Sequence, residues 1–182
     1  ISQIYISMDQ YTRWDQFIFQ ASHEFTHCVI HRLNSHENQK ALWIEETICE
    51  AISLVFLQMF ANSWNNCVLS QHNLTYSVAI QNYLKNQLNE VGTSKLEKCC
   101  GLEELLEINQ QNADHREYRS NEMHKLFFLI KDSEDVNALV HYRDYVEPNT
   151  ILLDTDKYRA AYPDLESVRY LCELQENAIS KR

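Results

Sequence analysis

Three residues near the start of the chain have the types and spacing of a metal-dependent hydrolytic site. His23 and His27 lie four residues apart, and Glu24 stands between them in a His-Glu-x-x-His sequence. In a helix, residues four apart share one face, with Cβ atoms roughly 6 Å apart, so both imidazoles can reach one zinc ion. Glu24 flanks that face, where a carboxylate can accept a proton from water. The pattern is equally compatible with the polar face of an ordinary helix.

Glu46 is the candidate third ligand. It follows His27 at the spacing His-Glu-x-x-His-x18-Glu, and the link between the two segments is short enough for a second helix to fold back on the first. Two imidazoles, one carboxylate and an open position make a catalytic rather than a structural zinc site. His31 continues the histidine row, but it lies about 12 Å from His23 along the helix axis. One ion therefore cannot bind all three histidines.

The motif and its surroundings resemble the gluzincin metallopeptidases, with the spacing of the aminopeptidase N-like branch. That branch reads Trp-x-x-Glu-x-x-x-Glu around its third ligand, and residues 43–50 fit this pattern. The resemblance implies zinc-dependent hydrolysis of peptide bonds, with Glu24 as the general base. It implies that Glu50 holds a ligand histidine by its other ring nitrogen. The implied ligands of one zinc ion per chain are His23, His27 and Glu46.

The resemblance is confined to residues 22–51 and is incomplete. The Gly-x-Met-Glu-Asn segment with which that branch grips the amino terminus of a substrate is absent from the sequence, so aminopeptidase specificity does not carry over. The branch uses a tyrosine at the start of a downstream helix to stabilise the oxyanion, and Tyr118 is the loosely matching candidate. A packing role for Tyr118 is at least as compatible with the sequence. The alternatives are Tyr142, Tyr145 and His124.

Two other functions compete with a peptidase. One is an inactive zinc-binding or helical interaction module that retains the ligand residues without turnover. The other is a cysteine hydrolase that pairs one of the 6 cysteines with a histidine, although no local motif supports it. If Glu24→Gln loses peptide cleavage while metal stays bound, the protein is a peptidase rather than an inactive module. If a chelator inhibits cleavage but an alkylating agent does not, the protein is not a cysteine hydrolase.

The composition predicts one helical domain, residues 1–182, with no nucleic-acid or membrane partner. Apolar residues make up 45% of the chain, which suffices for a core, and there are only 2 glycines and 2 prolines, few for a sheet joined by tight turns. The net charge of -10 argues against binding to a nucleic-acid backbone or an anionic membrane. The expected partner is a peptide or protein substrate, and the oligomeric state is left open.

The cysteines bear on the cellular location. None of the 6 forms a Cys-x-x-Cys pair, and Cys28 and Cys49 fall within helical patterns, where they are expected to be buried thiols. This favours reduced thiols and a cytoplasmic location. The chain begins with Ile1 rather than Met, so a preceding segment, and with it secretion, is left open.

Hydrophobic periodicity predicts a small strand followed by helices. Residues 4–8 alternate apolar and polar side chains, as in a strand, which either pairs with an extended substrate or covers the core. The expected fold is therefore α+β, mostly α: a zincin-like domain with a small N-terminal sheet element and a helical bundle. Residues 91–98 and 109–114 are expected to be polar connectors, and residues 146–156, which contain Pro148, are expected to be irregular or briefly extended. The predicted helices are 14–33, 41–60, 71–91, 102–111, 115–131, 135–145 and 164–179.

Overall fold

The computed structural model describes residues 4–6, 8, 10–34, 41–90, 95–111, 119–133 and 136–180. Within these ranges the secondary structure is helical. The α-helices are α1 (Trp14–Leu33), α2 (Leu42–Ser63), α3 (Tyr76–Asn89), α4 (Lys95–Lys98), α5 (Leu102–Gln111), α6 (Ser120–Ile130), α7 (Val136–Val140), α8 (Thr155–Ala161) and α9 (Glu166–Ser180). The short 3-10 helices are Trp64–Asn66, Val68–Gln71 and Tyr142–Tyr145.

Helices α1 and α2 pack against each other as an antiparallel pair. The ring of Trp14, at the start of α1, lies 5.5 Å from the ring of Trp64, just after the end of α2. Further along α1, Nδ1 of His27 lies 2.9 Å from Oε1 of Glu45 near the start of α2. The fold-back predicted from the short link is confirmed, and it brings the histidine face of α1 to the first turns of α2.

Helix α2 is the centre of the bundle. All residues from Trp43 to Leu54 are buried, including three glutamates, whereas Met59 near the end of the helix is exposed. Helices α1, α3, α5, α6 and α7 pack around it. Helix α9 contacts α4 to α8 on the other side of the molecule. The acidic residues near the start of α2 are therefore held by neighbours from both halves of the chain.

Most predicted helices are confirmed, and two short helices were missed. The bounds of α1 and α5 agree with the predicted 14–33 and 102–111. Helix α4 lies in a segment expected to be a polar connector, and α8 begins next to the segment around Pro148 expected to be irregular. Asp154 caps α8, because its Oδ1 accepts a hydrogen bond from the backbone N–H of Lys157 at 3.1 Å. This Asp was a usable sequence signal for the start of α8.

The α+β prediction, with its N-terminal sheet element, was wrong. Within the described part of the segment, residues 4–6 and 8, no strand is formed. The remaining described residues contain only one isolated antiparallel bridge, between Val146 and Leu153. Ile4 and Ile6 instead line an apolar hollow with Phe17, Phe25 and other side chains of α1 and α2. The apolar residues of this segment therefore line a hollow beside the helices and do not pair with another strand.

The helices and the cysteines bear on two further expectations from the sequence, the absence of a membrane-spanning segment and the presence of buried thiols. None of the described helices combines the length and the apolar character needed to cross a membrane. None of the 6 cysteines, all of which lie in the described ranges, forms a disulfide bond. Cys49 is buried, as expected, whereas Cys28 is only partly buried.

Glu122 on α6 is a buried carboxylate that helps to hold α4. Its Oε1 accepts a hydrogen bond from the backbone N–H of Glu97 at 2.9 Å. Its Oε2 is buried without a hydrogen-bond partner among the described residues. Burial raises the pKa of Glu122 to about 7, and the charge of Glu97 adds to this, while backbone N–H groups and Arg119 oppose it.

We expect Glu122→Gln to remove a pH dependence of stability. The carboxyl group has a pKa of about 7 when folded and 4.5 ordinarily, so the folded state retains a proton that the unfolded state loses. The contribution of Glu122 to the free energy of unfolding should be greatest below pH 4.5. It should fall between about pH 4.5 and 7, by about 3 kcal/mol in total. Urea unfolding of both proteins at several pH values measures this. Equal slopes for parent and Glu122→Gln across that interval would contradict the assignment.

Candidate metal centre

Side chains from α1 and α2 bring two imidazoles and one carboxylate together. Nε2 of His23 lies 3.1 Å from Nε2 of His27 and 3.4 Å from Oε2 of Glu46. Nε2 of His27 lies 3.3 Å from Oε1 of Glu46. One potential ligand atom from each residue lies within 4.8 Å of the others. The three predicted ligands therefore form a cluster that can hold a metal ion.

The separations within this cluster fit a shared ion. Bonds of about 2.0–2.1 Å from a tetrahedral zinc ion place two ligand atoms roughly 3.3 Å apart. The three separations of 3.1, 3.3 and 3.4 Å agree with that value. Charge-assisted N–H···O hydrogen bonds are shorter, about 2.7–2.9 Å. The two histidine–Glu46 contacts are thus closer to the spacing of ligands around one ion than to that of a direct hydrogen bond.

Helical geometry places these side chains. His23 and His27 share one face of α1 because they are four residues apart, and Glu46 projects from the start of α2. The side chains of His23, His27 and Glu46 are 13%, 18% and 12% exposed, respectively. The cluster therefore lies at the edge of the core, with residual access to solvent.

Glu45, which the sequence analysis did not assign, contacts the far side of a candidate ligand. Its Oε1 lies 2.9 Å from Nδ1 of His27. Its Oε2 accepts hydrogen bonds from Nε of Arg143 at 2.9 Å, from a terminal nitrogen of Arg143 at 2.6 Å and from the hydroxyl of Tyr142. The same Arg143 nitrogen donates to Nε2 of His31 at 3.0 Å. A buried polar network thus supports one side of the cluster.

Glu50 has a different partner from the one expected. The resemblance implied that Glu50 holds a ligand histidine, but Glu45 occupies that position at His27. Glu50 instead accepts a hydrogen bond from a terminal nitrogen of Arg119 at 3.0 Å. The same nitrogen lies 3.4 Å from Oε2 of Glu46. Arg119 therefore bridges Glu50 and the candidate ligand Glu46, a contact that no local sequence pattern indicated.

Glu24, the proposed general base, lies on α1 and is partly exposed. Tyr118, the candidate oxyanion donor, lies outside the described residues. Of its alternatives, Tyr142 donates to Glu45, Tyr145 stacks on another tyrosine with ring centroids 4.6 Å apart, and His124 contacts the backbone carbonyl of Gln87 at 2.9 Å. The contacts of these alternatives are thus structural.

Buried charged groups surround the cluster. Glu45, Glu46 and Glu50 are three buried carboxylates. The described residues in contact with them include two buried guanidinium groups, Arg119 and Arg143. Buried charge is stable only when it is paired, so these guanidinium groups help to hold the carboxylates beside the imidazoles.

Close contacts shift the pKa values of the cluster in the absence of a metal ion. Burial alone would raise the pKa of Glu46, but hydrogen bonds and the charges of His23 and His27 hold it far below its usual range. The pKa of Glu45 is lowered to about 2, because His27, Tyr142 and Arg143 outweigh burial. Burial opposes protonation of His27, yet contacts with Cys49, Glu45 and Glu46 raise its pKa to about 12.

Two of the cysteines, Cys49 and Cys172, do not have the properties of a nucleophile. Burial is the main reason that the pKa of Cys49, which contacts His27, is raised to about 12. Burial likewise raises the pKa of Cys172 to about 11. A reactive cysteine needs a lowered pKa, because the thiolate is the nucleophile. These two thiols therefore do not support the cysteine-hydrolase alternative.

Comparison with other proteins adds no family assignment. The chain matches no protein-family model, no curated protein and no solved structure. The similarity to gluzincins is therefore confined to the motif residues, and the geometry of the cluster is the main support for a metal site.

Proposed function

We propose that the chain is a zinc-dependent peptidase, with His23, His27 and Glu46 as the zinc ligands and Glu24 as the general base. The observation that carries the proposal is the spacing of 3.1–3.4 Å between the ligand atoms of the cluster. Two imidazoles and one carboxylate are the donor set of open, catalytic zinc sites rather than closed structural ones.

The donor groups of the cluster suit a divalent cation. Glu46 brings one buried carboxylate, and His23 and His27 bring two imidazoles whose ligand atoms lie close to it. A carboxylate is an anionic ligand, and an imidazole binds a metal ion in its deprotonated form.

Peptide hydrolysis requires a base next to the ion. A zinc ion held by this cluster would supply a Lewis acid and an activated water. Glu24 lies roughly 60° from His27 and 100° from His23 around the helix axis, and it is partly exposed. Its carboxylate can therefore accept a proton from the attacking water and transfer it to the leaving amine.

The choice of a peptide as substrate is supported by the motif, His-Glu-x-x-His-x18-Glu together with residues 43–50. Pairing of a substrate with an N-terminal strand is not part of the proposal, because the described residues of that segment form no strand. The alternative of a zinc-binding module without turnover shares the same ligands. Peptide cleavage distinguishes the two.

We expect the parent protein to contain one zinc ion per chain and Glu46→Ala to contain much less. Loss of the carboxylate removes one of only three protein ligands, and it leaves the two imidazoles with a weaker site. Mass spectrometry of metal content after purification without added metal, and again after incubation with zinc and desalting, measures the difference.

The matched control is Glu147→Ala, since Glu147 is exposed and distant in sequence from the cluster. This variant should keep the parent's zinc content. Absence of zinc from the parent even after zinc has been offered would overturn the metal site. One zinc per chain without cleavage of any member of a diverse peptide library would favour the inactive module.

A further inference from the structure

We propose that Glu45 is a positioning residue that keeps the proton of His27 on Nδ1 and thereby leaves Nε2 to bind the metal ion. This inference rests on the zinc site proposed above but not on peptidase activity. It assigns a role to a side chain that the motif treats as variable. It also extends the site to Arg143 and Tyr142, nearly a hundred residues further along the chain.

The contact between Glu45 and His27 determines the direction of a hydrogen bond. Oε1 of Glu45 lies 2.9 Å from Nδ1 of His27. A carboxylate can only accept, so Nδ1 must carry the proton. In a neutral imidazole the other nitrogen then presents its lone pair, and in this protein that nitrogen faces His23 and Glu46. In the neutral form that binds a metal ion, Nε2 of His27 is therefore the unprotonated nitrogen.

Arg143 and Tyr142 prevent the carboxylate of Glu45 from exchanging its two oxygens freely. Oε2 accepts two hydrogen bonds from Arg143, at 2.9 and 2.6 Å, and one from the hydroxyl of Tyr142. Glu45 and Arg143 are each only 1% exposed in their side chains. Three donors on Oε2 leave Oε1 for the imidazoles of α1. Oε1 lies 2.9 Å from Nδ1 of His27 but 3.5 Å from Nε2 of His31, so His27 is its closer partner. The orientation of the His27 ring is therefore set from outside the α1–α2 pair.

Other groups near the two histidines do not fix the position of an imidazole proton in this way. Cys49 also contacts His27, but a thiol is a weak hydrogen-bond donor and acceptor, and the raised pKa of Cys49 keeps it neutral. Nδ1 of His23 is buried without a hydrogen-bond partner among the described residues. The two candidate ligands are therefore unequal, and the proton position is determined by a carboxylate only at His27.

Glu45→Gln is an informative change because it keeps the shape of the side chain and reverses one hydrogen bond. The donors of Arg143 and Tyr142 require an acceptor, so they hold the amide oxygen of the glutamine. The amide NH₂ group must then point to Nδ1 of His27, which becomes an acceptor. The imidazole proton moves to Nε2, and this proton must be displaced before an ion can bind.

The experiment compares zinc affinity and the protonation of His27. Competition with a chromophoric chelator gives the zinc dissociation constants of the parent, Glu45→Gln and Glu122→Gln. We expect Glu45→Gln to weaken zinc binding by about 10–100-fold, the usual effect of losing such a partner of a ligand histidine. Glu122→Gln, an equally buried Glu-to-Gln change outside the site, should bind as the parent does. ¹⁵N NMR of the zinc-loaded parent should show a proton on Nδ1 of His27.

The outcomes separate this inference from the zinc site itself. If the parent binds zinc and Glu46→Ala does not, but folded Glu45→Gln binds within about twofold of the parent, the positioning role is wrong and the zinc site stands. If the parent does not bind zinc, both are wrong. NMR of the parent needs no variant: absence of a proton on Nδ1 of His27 in the zinc-loaded protein overturns the positioning role even if Glu45→Gln fails to fold.

Discussion

Glu24→Gln is expected to lower kcat for peptide hydrolysis by about 10²–10⁴-fold, the usual contribution of a general base. The amide has nearly the same shape as the carboxylate, but it cannot take a proton from water. Because Glu24 is not one of the three clustered ligands, the variant should retain one zinc ion per chain. Steady-state cleavage of a fluorogenic peptide, combined with metal analysis of the same sample, measures both effects.

Glu103→Gln is the matched control for this prediction, since Glu103 is exposed in the first turn of α5. Its activity should equal that of the parent. Parent-like cleavage by zinc-loaded Glu24→Gln would refute the assignment of the base. Loss of both zinc and cleavage would instead make Glu24 part of the metal-binding set, which also contradicts the role assigned to it.

Arg119→Met is expected to destabilise the protein by about 3–5 kcal/mol, the range found when one partner of a buried ion pair is removed. The side chains of Arg119 and Glu50 are only 2% and 1% exposed, so water cannot replace the lost guanidinium group. Methionine fills a similar length but leaves the carboxylate of Glu50 without this positive charge. For a chain of this size we expect the melting temperature to fall by roughly 2–4 °C per kcal/mol.

Arg159→Met tests the same substitution at an exposed ion pair. Arg159 forms a two-pronged contact with Glu176, at 2.5 and 2.8 Å, but the two side chains are 33% and 42% exposed. An ion pair in this environment contributes about 0–1 kcal/mol. Thermal and urea unfolding of both variants, each loaded with zinc, should therefore show a much larger loss of stability in Arg119→Met than in Arg159→Met. Equal losses would show that burial of the Arg119 pair does not determine its contribution.

The ligand cluster could be predicted because it depends mainly on local geometry. Helical periodicity alone places His23 and His27 on one face, and a short link forces α2 to return along α1. Glu46 then needs only to lie in the first turns of α2.

The N-terminal strand could not be excluded from the sequence, since apolar alternation does not specify what an apolar residue contacts. Ile4 and Ile6 satisfy the period of a strand, yet they line an apolar hollow together with Phe17 and Phe25 of α1. A strand is stabilised by pairing with another strand, and the sequence contained no direct information on such a partner. The low glycine and proline content was the more reliable signal.

The residues around the ligands were harder to predict because their contacts are distant in sequence. Arg119 reaches Glu50 across 69 positions, and no motif connects them. Glu45 did leave a signal: two adjacent acidic residues stand where the motif needs only one ligand. Neighbouring residues are 100° apart on a helix, so one of the two can face the ion while the other faces the far nitrogen of a histidine.

The pairing of Glu45 with Arg143 also has a consequence for the order of folding. The two residues are separated by 98 positions, so the contact carries a large loop-closure entropy and forms late relative to local helical contacts. A chain emerging from the ribosome exposes all three proposed zinc ligands before Arg143 has been synthesised, and domains fold as units during synthesis. Nascent chains that end after α2 therefore carry the proposed ligands without the side chains that contact the far side of His27. Under the proposed function, full zinc affinity should then require synthesis of the chain through Arg143.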